Sequence, residues 1–136
     1  MTATDTHVRS ALLPGVPESV GQARALVRGT LGEHCPAIDA AVLCTSELVT
    51  NAILYTRSGR PGGVVVVTVD IGDGEVTIGV VDAGACGRPA IAARPVDSGE
   101  GGFGLRIVEQ LAAGWGTHQI DGGARVVTWV RFRWQS

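Results

Sequence analysis

Lysine is missing from this chain: its 11 strongly basic residues are all arginine. No lysine can form a Schiff base or clamp a phosphate, so a cationic phosphate contact must use arginine, and other contacts must use backbone amides or a metal. The formal net charge of −2 gives no reason to expect nucleic acid. A long apolar run is also missing, since none reaches about 18 residues, the length read as a membrane helix. The opening stretch MTATDTHVRS has no apolar signal segment. A cytoplasmic location without membrane contact is therefore expected. The three cysteines, Cys35, Cys44 and Cys86, share no C-x-x-C spacing and are expected to be reduced structural thiols. Cys86 alone sits in a glycine-rich loop, which makes it the candidate for a reactive thiol. His7, His34 and His118 are scattered, so no structural metal cluster is expected.

What is present describes a globular chain. Apolar residues make up 45 % and charged residues 18 %, and 136 residues suffice for one domain (1–136) that buries a core unaided. Residues 1–10 are polar and read as a loose lead-in, and there is no internal repeat. A short strand is expected at 11–13. Pro17, Glu18 and Ser19 then start a helix to about residue 33, with Val20, Ala23, Leu26, Val27 and Leu31 on its inner face. A second helix is expected over 37–56. Two valine-rich strands, 64–71 and 75–82, flank an Asp-Gly turn, and residues 88–101 read as a loop that could form a lid. A third helix over 101–113 turns Leu105, Val108, Leu111 and Ala112 inward. Strands at 114–120 and 125–134 close the chain around Asp121-Gly122-Gly123. The order predicts an α+β two-layer sandwich, its sheet mixed but mostly antiparallel and its helices on one face.

The second helix carries the first chemical signal. Ile38, Ala41, Val42, Thr45, Leu48, Val49, Ala52 and Ile53 fall within an arc of roughly 140° at about 100° per residue. Glu47 and Asn51 lie one turn apart on nearly the opposite side, flanked by Leu43 and Leu54. A carboxylate and a carboxamide among apolar neighbours suggest a partly enclosed site, although a solvated pair would have the same spacing. Asn51 could offer its oxygen to Mg²⁺, and Glu47 could accept a proton from an attacking hydroxyl. Asp82, at a strand end, suits the exocyclic amine of adenine or a simple turn cap. Gly102 and Gly104 open a helix, where backbone amides can cradle phosphate or merely close a loop. A dinucleotide-binding fold competes for these glycines, with Asp121 as its ribose-binding acid.

In sequence order these pieces are more specific than any one alone. Glu47-Leu48-Val49-Thr50-Asn51-Ala52, Asp82-Ala83-Gly84 and Gly102-Phe103-Gly104-Leu105 resemble the N, G1 and G2 boxes of the GHKL, or histidine-kinase-like, ATP-binding fold. The short chain looks like the anti-sigma-factor serine/threonine kinases of the switch-protein type. That resemblance implies ATP and Mg²⁺, with Asn51 as metal ligand and Glu47 as base. It implies a nucleotide site formed by Asn51, Asp82, Gly84, Gly102, Gly104 and Leu105, with Thr128 near the adenine. It also implies a sigma factor and an antagonist protein as partners, and a homodimer. Two positions depart from the pattern: Tyr55 stands where the kinases usually carry His, and the G1 glycine spacing is altered to Asp82-Ala83-Gly84-Ala85-Cys86-Gly87. The alternative is a nucleotide-dependent module that sequesters a partner without transferring phosphate.

Overall fold

Helix α2, Ile38–Tyr55, carries most of its apolar side chains on one broad face, and that face seeds the core, while Leu43 and Leu54 stay exposed on the other side. The computed structural model describes residues 7–84 and 102–135. Around α2 stand β1 His7–Pro14, α1 Ser19–Leu31, β2 Val64–Gly72, β3 Glu75–Asp82, α3 Gly102–Leu111, β4 Gly114–Ile120 and β5 Arg125–Arg133. The sheet order is β1-β2-β3-β5-β4. Every pairing among the described strands is antiparallel, so the expected parallel admixture is absent there. A doubly wound dinucleotide fold needs a parallel sheet, and that rival is excluded. Asp121, its supposed ribose acid, lies in the β4–β5 turn and is held by the Arg125 guanidinium.

The two-residue period of a strand places Val65, Val67 and Val69 of β2 on the same face as Val76, Ile78 and Val80 of β3, and all six are buried. They meet Val27 of α1, Ala41, Leu48 and Val49 of α2, and Val108 of α3 in one core. Burying a valine or isoleucine side chain stabilises by roughly 1.5–3 kcal/mol, so this valine layer is the main cohesive element. In α2, the predicted apolar arc is buried except for Ile53, which is half-buried, and Cys44 and Ser46 are buried beside it. Its mean hydropathy of 1.3 over 18 residues meets the length and composition of a membrane span, but core packing already uses its apolar side.

Three expectations need correction. His7 to Ser10 are not loose: they pair with Ile71 to Thr68, so β1 is an eight-residue strand rather than a three-residue one. Leu111 is 43 % exposed, and Ile107 joins Val108 and Ala112 against the core instead. The first helix ends at Leu31, where Gly32 takes φ +85 and turns the chain away. Cys86 and the lid expected at 88–101 lie outside the described residues.

Candidate functional site

Register decides which strand residues share the helix-covered side of the sheet. Asp82 pairs with Val126, and Val80 with Thr128. Asp82 and Thr128 are therefore diagonal neighbours on one face, about 7–8 Å apart. Both are buried, Asp82 at 4 % and Thr128 at 6 % exposure. That face is the one on which α2 packs.

The Asp82 carboxylate is held at the point where β3 stops. Its Oδ1 accepts from the Gly84 amide at 2.6 Å, a short loop that needs Gly84 at φ +80, where a side chain would be strained. Burial pushes the carboxyl up from 3.8 to about 6, partly offset by the Gly84 bond. At neutral pH the group is still mostly an anion. A carboxylate can accept through two oxygens, so with Gly84 on one of them the group retains acceptor capacity for a donor such as an exocyclic amine.

The loop carrying Asp82 is also fastened to the chain that leaves α2. The Arg57 amide donates to the Gly84 carbonyl at 3.0 Å, and the Ala83 amide donates to the Ser58 hydroxyl at 2.9 Å. Asn51 stands on α2 about 7.5 Å along the axis from Thr56, at 1.5 Å per residue. Its Nδ2 is buried and has no hydrogen-bond partner, the one such side-chain atom found among the described residues. An unpaired buried amide end is costly, and a ligand would relieve it. A half-turn of the carboxamide exchanges its nitrogen for its oxygen, which suits a hard cation, whereas the nitrogen suits a phosphate or water. No group of three or more His, Cys, Asp or Glu that could hold a metal occurs among the described residues. A nucleotide-borne Mg²⁺ needs no such cage, because phosphates and waters supply most of its ligands. The residues present thus fit Mg²⁺ delivered with a nucleotide.

Glu47, half-buried, lies one turn before Asn51. Its charge reaches Cys44, whose thiol is pushed up to about 11, first by burial and then by this carboxylate. Cys35 and Cys44 are both free thiols, and Cys44 is fully buried. Gly102, Gly104 and Leu105 lie in the first part of α3, which packs beside α2 and contributes Val108 to the core. At the far end of α2, Tyr55 joins Ile53, Arg57 and Arg60 in a cleft of about 430 Å³. The site therefore brings Asp82, Gly84 and Thr128 together at one end of the sheet and ties them to the helix that holds Asn51 and Glu47. The tie through Thr56, Arg57 and Ser58 was not anticipated from sequence. Its signal was a Thr-x-Ser step directly after a helix, a pattern that folds hydroxyls back on the backbone.

Comparison with known proteins agrees with this fold. The model of the histidine kinase-like ATPase domain matches residues 13–134. Two relatives named anti-sigma F factor, from Clostridium botulinum strains Eklund 17B / Type B and Alaska E43 / Type E3, are 31 % and 30 % identical over 102 residues. The aligned part spans 68 % of this chain and 71 % of each relative. The solved RsbU and RsbW domains of Rv1364c from Mycobacterium tuberculosis share the fold, with TM-score 0.68 and 21 % identity. That match covers 93 % of this chain but only 32 % of the longer one. The chain belongs to the histidine kinase-like ATPase domain family, in the group that holds the anti-sigma factors.

Proposed function

We propose that the protein is an anti-sigma regulator that binds Mg²⁺ and ATP and transfers the terminal phosphoryl group to a serine or threonine of an antagonist protein. Its second activity is to hold a sigma factor inactive, as a cytoplasmic homodimer. The observation that carries the reading is the buried Asp82 carboxylate fastened to the helix of the unpaired Asn51 amide. One group suits the amine of adenine and the other the metal-bound phosphates.

Each residue then has a task. Asp82 accepts from the adenine amine while Gly84 lets the backbone turn beneath it, and Thr128 lines the same end of the sheet. The amides of Gly102, Gly104 and Leu105 at the start of α3 hold phosphate oxygens. Asn51 holds Mg²⁺, which when bound neutralises charge on the phosphates. Glu47 takes the proton from the attacking hydroxyl as its oxygen meets the terminal phosphorus in line, and the diphosphate leaves from the opposite side.

Incubation with γ-labelled ATP and a candidate antagonist tests the reading. Label on an antagonist serine or threonine is the expected result. Measurable ATP binding without transfer would replace the kinase by a nucleotide-dependent sequestering module.

A further inference from the structure

The short connection from α2 to the sheet is built more tightly than a connection requires. The Thr56 hydroxyl donates back to the Ala52 carbonyl at 2.6 Å and accepts from the Ser58 amide at 3.0 Å. This fixes Ser58 over the end of the helix. Ser58 is completely buried, and its hydroxyl accepts from the Ala83 amide between Asp82 and Gly84. The Arg57 amide adds a second tie to the Gly84 carbonyl. From the other side Gly15 presses so close that a Cβ there would lie 1.7 Å from the Ser58 carbonyl oxygen, which prevents the clasp from sliding. Hydrogen bonds in such a dry setting are directional and costly to leave unmade.

We infer that Ser58 is a positioning residue for base selection: its hydroxyl, steadied by Thr56, sets where the Asp82 carboxylate stands relative to Asn51. This inference rests on the nucleotide site proposed above. Asp82 is the last residue of β3, paired with Val126 of β5, and among the described residues the chain just past it is held by its own bond to Gly84 and by these ties to the end of α2. Because Asn51 rides on that same helix, the grip on the base and the grip on the phosphates share one ruler. A base whose edge offers an acceptor instead of an amine is rejected only while the carboxylate is held in place. Ser58 thereby acts on specificity without touching the nucleotide.

The test compares wild type, Ser58→Ala, Ser58→Thr and Thr56→Val. Titrations with Mg·ATP, Mg·GTP and Mg·tripolyphosphate are combined with amide exchange at Ala83 and Gly84. In Ser58→Ala, Ala83 protection is expected to fall and the preference for ATP over GTP to drop about tenfold, with tripolyphosphate binding unchanged. Ser58→Thr, which keeps the hydroxyl, is expected to retain most of the preference. Thr56→Val removes the acceptor for the Ser58 amide and is expected to shift the preference in the same direction as the alanine variant, so the clasp is read from both ends. An unchanged ATP-to-GTP ratio in Ser58→Ala, or equal weakening of all three ligands, would overturn the positioning role alone. Failure of the wild type to bind ATP would overturn the nucleotide reading together with it.

Discussion

Replacing Asp82 by asparagine separates stability from recognition. With only 4 % of Asp82 exposed, its ionised form lacks most of its hydration, and the carboxyl titrates near 6 instead of 3.8. Each tenfold change in proton affinity is worth about 1.4 kcal/mol, so the full upward displacement corresponds to about 3 kcal/mol. The sign follows from proton counting. Between these two values the folded state holds more protons than the unfolded state, so folding stability falls as pH rises, and the loss is complete above about pH 6. Asparagine has nearly the same shape, still accepts from the Gly84 amide through its oxygen, and carries no charge. Asp82→Asn should therefore be more stable than wild type by up to about 3 kcal/mol at pH 7.5, shrinking to about 1 kcal/mol at pH 4.5. In a domain of this size that is up to roughly 10 °C in Tm at the higher pH. The same change presents an amide N–H toward the base, a donor facing the adenine amine. ATP binding should weaken by about 10–100-fold, and the preference for ATP over GTP should collapse. Urea unfolding at the two pH values, with ATP and GTP titrations, measures both effects. A variant less stable than wild type at pH 7.5, or a stability difference that does not change with pH, would refute the reasoning. Unchanged base discrimination would refute the assignment of Asp82 to the adenine.

Other perturbations act at single points. Asn51→Ala should weaken Mg·ATP binding more than binding of ATP in excess chelator, as read by calorimetry; equal affinities for wild type and variant in Mg²⁺ would remove Asn51 from the metal. Glu47→Gln should reduce phosphoryl transfer by about 10²–10⁴-fold while ATP affinity stays within a few-fold, since a base acts in the reaction and not in binding. Wild-type ATP affinity should fall as pH drops below about 6, because the Asp82 anion proposed to accept the amine becomes protonated there. Gly15→Ala places a Cβ against the Ser58 carbonyl and should cost about 1–3 kcal/mol or more of stability in thermal unfolding.

The β2–β3 and β4–β5 hairpins were legible because their glycine-rich turns and alternating or valine-rich runs are local signals, and β3 and β4 have the expected bounds. The start of β1 was not, because His7 to Ser10 gain their order from pairing with β2, far along the chain. Helical spacing found the buried side of α2 and the Glu47–Asn51 pair away from it. Spacing could not show that Leu111 would stay exposed, since that depends on what the rest of the fold brings against α3. Asp82, Thr128 and Asn51 could be named individually from a motif resemblance. That Asp82 and Thr128 share one sheet end is a property of register, which one residue of slip would invert. What Ser58 holds is not legible, because a hydroxyl in a turn looks the same in sequence whether it faces water or holds a neighbouring loop.

Cys44 offers a clock. Its thiol is shut inside the core on the same helix as Glu47, and near pH 8 its high pKa leaves about one hundredth of the thiolate of an ordinary cysteine. Alkylation there must wait until the core around α2 opens, so the slow phase of thiol modification counts those openings. Whatever ligand ties α2 to the β3 loop should lengthen that phase, with no label placed on the site itself.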